Sequence, residues 1–489
     1  MLLKDILKQR SATGVIWAGG LISYKVIYGY AQEIAYKLNA KNTSERVGII
    51  IDDTINYFYA YFGIAFSQSH IIVPINHRNT NLEIIKEIKN CDINCLLTDS
   101  KNFLRVKESA MLSGIYVRII NVETLEDVAV NEDQLEKTFN LFPLLGIEGD
   151  ACIFLQTSGS TSYSKKVIHT NASILQNAKL HIKRIGLQSG DRAALSIPMA
   201  FSYCNTAVIV ANVLLENDIL ISNVSGFDPQ SFWEDVLEYK VTYGVLVPTQ
   251  LISMDASMRE SLYVSQDVKI CYGGSFLHRK YVDSLAKKFP NVTFINTYGQ
   301  TEAGPRITAN YPNGKSDSAG RPLDGICLKV VDKENREVAT NTVGRIFVKT
   351  PCAMRGYHKN PDLTLQTIVN GWIDTGDLGY VDKEGYLYIT GRSKNIIISG
   401  GINVFPEEIE EVLLSYDGVK AVRVYSQDNL LLGEVPLAEL VWEGKESFDE
   451  EKLKSFCKER LSMYKIPVRF LCVDKIKTTY SGKIVRHYG

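Results

Sequence analysis

Short continuous apolar runs alternate with spans whose apolar residues recur at helical spacing over most of the first three hundred residues. Residues 47–51 (VGIII), 70–74 (HIIVP) and 95–97 are too short and too β-branched for helices and read as buried strands. Residues 22–37, 57–66 and 82–90 carry helical spacing. A parallel strand is reached only by a crossover, so this alternation implies parallel sheets covered by helices on both faces. The rhythm weakens over residues 100–150 and then resumes. Asn171 is placed to cap a helix that runs to Arg184, with Gly186 just past its end. Strands are expected at 192–197, 218–221, 242–247, 268–272 and 293–296, with helices at 209–215, 229–239 and before Phe289.

From Gly320 onward the runs shorten, as in 344–349, 386–390 and the Trp372-Ile373 pair, and a small β subdomain is expected. Beyond the polar joint 391–395 the chain reads as a separate α+β unit. Pro406 opens one helix, Asp449 caps another, and strands fall at 419–425, 437–442 and 468–473. The expected class is therefore α/β. Residues 1–391 are expected to form a large domain of parallel sheets plus the small β subdomain, and residues 392–489 a small α+β domain.

In open α/β sheets ligands gather beyond the carboxyl ends of strands. Three such ends are small and polar: 156–162, 273–275 and 298–304. The first lies in residues 154–167, FLQTSGSTSYSKKV, where residues 157–162 hold five hydroxyls and one glycine. A loop of that kind offers N–H and O–H donors to phosphate oxygens, and Lys165 and Lys166 add positive charge beyond it. It is not a strict P-loop, because Ser164 and Lys166 stand where that motif needs Gly and Ser or Thr. A solvated serine-rich turn is the plainer reading of the loop alone.

A formal net charge of −1 excludes a general attraction to nucleic acid or anionic membranes. No run of ~20 apolar residues exists, and the first residues carry no secretory pattern, so a cytoplasmic protein without a membrane span is expected. Nine cysteines without metal-ligand spacing imply buried, reduced thiols rather than a metal cluster.

Five segments in order carry a family signal: TSGSTSYSKKV at 157–167, TYGQTE at 297–302, WIDTGD at 372–377, GRSKNIIISGGINVFPEEIE at 391–410 and TYSGKIVR at 479–486. Together they resemble the adenylate-forming superfamily of acyl- and aryl-CoA ligases, luciferases and carrier-protein adenylation domains, over essentially the whole chain. The resemblance implies ATP-dependent joining of a carboxylic acid to AMP, release of pyrophosphate, and transfer of the acyl group to a thiol. It assigns Thr157, Ser158, Gly159, Ser160, Thr161 and Lys165 to the ATP phosphates. Gly273, Gly274, Ser275, Tyr298 and Gly299 fall to adenine, and Asp377 with Arg392 to ribose. Glu302, after Thr301, becomes the Mg²⁺ ligand, a hard oxygen donor. Lys483 becomes the catalytic lysine, Lys394 the pivot, and Ser399, Gly400 and Gly401 the backbone that meets the pantetheine arm.

Two departures stand out. The family usually has Gly-x-Pro-Lys-Gly where this chain has Ser162 to Lys166, and many acyl-CoA ligases have His where Phe201 stands. Amino-acid-activating relatives usually carry Asp after this Phe. Ser202 stands there, which disfavours an amino-acid substrate. The implied acid pocket is Phe201, Tyr203, Val245, Gly273, Gly299 and Gly304, suited to an aryl or medium acyl acid. Arg306 either reaches the substrate or pairs structurally, while His169 and His181 read as packing or surface residues. CoA is the expected acceptor, with a carrier-protein phosphopantetheine as the alternative. A nucleotide-binding protein that has lost the chemistry is the reading of another class, supported by the altered 162–166 loop.

Overall fold

The computed structural model describes residues 1–8, 11–40, 46–67, 70–134, 151–157, 165–222, 226–258, 264–400, 402–444, 447–478 and 484–485. Two large sheets form the first part of the chain. One has eight strands in the order Gly356–Tyr357, Lys166–Thr170, Ala151–Gln156, Ile71–Pro74, Arg46–Ile50, Cys95–Thr98, Val117–Asn121 and Asp127–Val130. Its centre is parallel, with Val47 level with both Ile72 and Cys95, and antiparallel pairs flank it on each side. The other sheet has nine strands, with a parallel centre of Asp218–Ile221, Arg192–Leu195, Tyr243–Leu246, Val268–Gly273 and Val292–Tyr298. The helices Tyr24–Asn39 and Ile55–Phe66 and the 202–215 helical stretch bury apolar faces in one core shared by strands of both sheets.

The alternation expected from sequence is present, and two details differ. Thr170, not Asn171, caps the helix Asn171–Ile185. Its hydroxyl accepts from Ser173 N, and Gly186 ends the helix at φ +66°. The helix expected at 209–215 begins at Ser202 and passes through a wide-turn π-helical segment, Asn205–Val210. Such turns re-aim side chains and recur at functional sites. Residues 103–130, where the rhythm weakened, still supply a helix and two strands.

A five-stranded β unit follows, centred on Gly344–Lys349 and Trp372–Val381, with Leu387–Arg392 paired to the latter. The last sheet is built wholly from residues 397–472: Ile402–Val404, Ile397–Ser399, Gly433–Trp442 and Val419–Asn429, with Phe470–Cys472 parallel to Gly433–Trp442. The helices Pro406–Leu414 and Glu450–Lys458 cover it through Ile409, Leu413, Leu453 and Cys457. All nine cysteines are free, but Cys327 and Cys472 are exposed, which corrects the expectation of buried thiols throughout. No helix among the described residues is long and apolar enough to cross a membrane.

Candidate functional site

The strand Ala151–Gln156 ends at Thr157, whose N–H donates to Lys165 O at 3.1 Å and closes the base of the hydroxyl-rich loop. Ser158, Gly159, Ser160 and Thr161 lie outside the described residues. Lys165 is exposed, with its ammonium 5.4 Å from the centre of the Tyr357 ring. Lys166 points the other way. It is buried and pairs with Glu87 at 2.7 Å and Gln156 at 3.1 Å. Adjacent residues of an extended chain face opposite sides, so only one of the two lysines can serve the loop. The expectation that both supply charge there is corrected.

Tyr357 sits on the two-residue edge strand Gly356–Tyr357, opposite Val167. Its hydroxyl donates to Glu302 Oε1 at 2.8 Å. Burial, then the Glu302 charge, push the phenol above its ordinary range. Glu302 lies in the single turn Thr301–Ala303, and its backbone carbonyl accepts from Met354 N at 2.9 Å. The Thr301 hydroxyl is 3.1 Å from Ser202 Oγ, and its carbonyl accepts from His169. Lys165 at the loop exit, Tyr357 and Glu302 therefore form one cluster built from three segments.

Beside it, Gly273 is level with Thr297, and a Cβ there would stand 2.1 Å from Thr297 O. No other residue fits that close approach of neighbouring strands. Gly274 follows at φ +95° and turns the chain outward, leaving Ser275 exposed. Gly299 is equally constrained, because a Cβ would meet Pro305 O at 2.3 Å.

Tyr298, at the end of its strand, donates to Asp377 Oδ2 at 2.6 Å, and Arg392 Nε donates to Asp377 Oδ1 at 2.6 Å. Asp377 and Arg392 are direct cross-strand partners, so sheet register itself makes this ion pair. Burial, then the Asp377 charge, push the Tyr298 phenol well above its usual range. Each carboxylate oxygen retains a second lone-pair direction for a further donor.

Of the pocket residues, Tyr203 donates to Thr297 Oγ1 at 3.0 Å, since the Thr297 hydroxyl itself donates to Tyr272 O, and it packs on the core that contains Val245. Phe201 is half-buried at the head of the 202–215 helical stretch. Gly304, at φ +83°, lies against Asn177, which donates to Arg306 O at 3.0 Å. His169 and His181 are both buried and hydrogen-bonded, in keeping with packing roles.

The expected pivot segment follows directly on Arg392, and the expected thiol segment lies beyond it. Lys394 is exposed in the turn Ser393–Asn395, and Asn395 donates to Glu407 at 2.8 Å. Ser399 is buried against Gly433, and Gly400 N donates to Leu432 O at 2.7 Å. In this arrangement Ser399 and Gly400 thus engage residues 432 and 433 of the same sheet unit. Gly401 and Lys483 lie outside the described residues. No group of three or more His, Cys, Asp or Glu side chains among the described residues is arranged to hold a metal ion. Tyr357 was missed from sequence, since a two-residue strand has no periodicity to betray it.

Comparison with known proteins follows the same line. The profile of the AMP-binding enzymes matches residues 4–358, and that of the AMP-binding enzyme C-terminal domain matches residues 408–483. A 2-succinylbenzoate–CoA ligase from Bacillus cytotoxicus is 30% identical over 466 residues, 95% of this chain and 91% of that protein. A 4-coumarate–CoA ligase from Vanilla planifolia is 28% identical over 92% of this chain and 84% of its own. Among solved structures, the o-succinylbenzoate–CoA synthetase of Bacillus subtilis in complex with its acyl-adenylate superposes with a TM-score of 0.83 at 24% identity, covering 99% of this chain and 96% of that one.

Proposed function

The chain belongs to the AMP-binding enzyme family, and on that footing we propose that its three polar strand ends form one site for activating an aromatic carboxylic acid. It is an acid–thiol ligase of the AMP-forming class. In the first step a carboxylate oxygen attacks the α-phosphorus of ATP, and pyrophosphate leaves with the bonding pair. In the second a thiolate sulfur attacks the acyl carbon, and AMP leaves. Coenzyme A is the proposed thiol, in line with the CoA ligases among its relatives.

The observation that carries this reading is the convergence of Lys165, Tyr357 and Glu302 at the mouth of the 157–165 loop. Lys165 and the loop from Thr157 to Thr161 hold the β- and γ-phosphates. Glu302 suits Mg²⁺, which takes one or two carboxylates and completes its shell with phosphate oxygens and water, so a single well-held carboxylate is enough. Magnesium, when bound, neutralises phosphate charge. Tyr357 fixes Glu302 Oε1, and Oε2 remains for the metal. Gly273, Gly274 and Ser275 let adenine approach bare backbone, with Tyr298 beside it. Asp377 and Arg392 take the ribose. Lys483 bridges the acid and the α-phosphate, offsetting repulsion between two anions. The chain divides at 391/392, with Lys394 as pivot, and works in the cytoplasm.

Pyrophosphate release with ATP, Mg²⁺ and a panel of aryl and acyl acids tests the reading. Release that depends on one class of acid, followed by CoA thioester formation, is expected. ATP binding without release for any acid would replace it with a nucleotide-binding protein devoid of the chemistry.

A further inference from the structure

Five lysine or arginine side chains among the described residues are buried: Arg46, Arg118, Lys166, Arg306 and Arg423. Four pair with a carboxylate: Arg46 with Asp92, Arg118 with Asp127, Lys166 with Glu87, and Arg423 with Glu439. Arg306, 3% exposed, forms no ion pair among the described residues. Its Nη1 donates to Pro305 O at 2.8 Å, its Nε donates to His181 Nδ1 at 3.3 Å, and its Nη2 is buried without a partner.

The surroundings are neutral and fixed. The His181 ring accepts at Nδ1, so Nε2 carries the proton and donates to the Tyr243 hydroxyl at 2.8 Å; Tyr243 donates onward to Ala207 O at 3.1 Å. Burial, then the Arg306 charge, hold His181 well below its ordinary range, so it remains uncharged. The guanidinium carbon lies 3.6 Å from the centre of the Tyr203 ring. That stacking holds the guanidinium plane, and Nη2 is its unpaired edge. Tyr203 and Gly304 belong to the proposed acid pocket, and Gly299 is packed against the backbone at Pro305 and Arg306.

A buried charge with no counter-ion is strongly unfavourable, and a structural role alone would have been served by a carboxylate, as at the other four cations. We propose that Arg306 is the specificity residue of the acid pocket and that the acid this chain activates carries a second anionic group, a carboxylate, which pairs with the Arg306 Nη2 edge. The substrate class is then a dicarboxylic acid: one carboxylate is adenylated and the other is held on the stacked guanidinium. This rests on the ligase reading above.

The test compares matched acids, 3-(2-carboxyphenyl)propanoate against 3-phenylpropanoate and glutarate against butanoate, by pyrophosphate release and by the thermal shift each gives. Sites built around a polar partner reject analogues that lack it by large factors, so wild type should favour the dicarboxylate of at least one pair by about a hundredfold or more in kcat/KM. Arg306→Leu should bring that ratio to within about tenfold, and Arg306→Lys should leave it intermediate. Removing an unpaired buried charge should also raise the melting temperature of the ligand-free Arg306→Leu protein. A fall in that temperature, or wild-type preference for the monocarboxylates, would overturn the proposal. If wild type releases no pyrophosphate with any acid, the ligase reading fails. The anion site is then still decided by whether dicarboxylates shift wild type but not Arg306→Leu.

Discussion

His169 donates from Nε2 to the carbonyl oxygen of Thr301 across 2.7 Å, tying the strand that leaves the phosphate loop to the turn that carries Glu302. A carbonyl can only accept, so the proton is on Nε2, and Nδ1 faces Ser173 Oγ at 3.0 Å. Burial pushes the imidazole down to about 4 from its ordinary 6.5, with the Thr301 contact opposing. A base held neutral this way contributes its full stability above its ordinary pKa and loses it as pH falls through 6.5 towards about 4. Wild type should therefore lose on the order of 3 kcal/mol from this group across that window. His169→Gln should flatten the acid limb of melting temperature against pH. Superimposable limbs would remove His169 as their cause.

Tyr357 is predicted to act through Glu302. Tyr357→Phe deletes one hydrogen bond to a charged acceptor and should slow acyl-AMP formation by about tenfold. Glu302→Gln removes a contact to developing charge and should cost roughly a hundredfold. Because the first change works by way of the second residue, the double variant should be little worse than Glu302→Gln alone. Fully additive losses in single-turnover assays would separate the two side chains.

Much of this site was legible in the sequence because strand ends and register are local matters. Gly273 and Tyr298 stand at the polar ends of runs whose periodicity is plain, while Asp377 lies within the strand Trp372–Val381, was reached through the family resemblance, and meets Arg392 by sheet register. What was hidden joins distant parts of the chain. Tyr357 reaches Glu302, and His169 reaches Thr301, through pairings that no local pattern announces. Lys166 was legible and misread, since alternation along an extended segment sets it opposite Lys165. Thr170 and Asn171 are both good caps, and only the exchange between Thr170 and Ser173 decides between them.

Asp53 carries the opposite pH signature. Its Oδ1 accepts from Met199 N at 2.8 Å, while Oδ2 is buried and 3.8 Å from His77 Nδ1. Burial raises its carboxyl to about 6 from 3.8, against the Met199 hydrogen bond and Arg78. A raised acid stabilises the fold fully below 3.8, and that contribution is lost as pH rises through about 6. Asp53→Asn keeps an acceptor for Met199 and removes the buried charge. It should raise the melting temperature above about pH 7 and leave it nearly unchanged in acid. An equal shift at every pH would show that packing, not ionisation, is what changed.

Side chains of the helix Arg279–Lys288 donate to backbone carbonyls of the last α+β unit. Lys280 Nζ donates to Leu414 O at 2.5 Å and Val419 O at 3.3 Å, and the Tyr281 hydroxyl donates to Lys420 O at 2.9 Å. Leu414 ends the helix Pro406–Leu414, where carbonyls lack intrahelical partners and a cation is favoured. Lys280→Ala with Tyr281→Phe should remove about 1–2 kcal/mol of docking and raise amide exchange at 412–420, leaving the cores unchanged. Unaltered exchange there would mean that other contacts fix the arrangement.

Lys483 tests the mechanism itself. It stands in Ser481-Gly482-Lys483, in the segment that resembles the catalytic-lysine motif of the family. If its ammonium bridges the acid and the α-phosphate, it lowers the barrier only of the step that brings two anions together. The thioester step starts from an acyl group already activated and needs no such bridge. An asymmetry follows. Lys483→Ala should slow acyl-AMP formation by about a hundredfold or more, the scale of a lost charge-stabilising contact. Thioester formation from supplied acyl-AMP and CoA should stay within about tenfold of wild type, because only contacts that differ between ground and transition state change a rate. Timing each half-reaction in single-turnover mixes separates them. Equal loss in both would mean that Lys483 supports the whole site, and the division of labour between the two steps would have to be assigned to other residues.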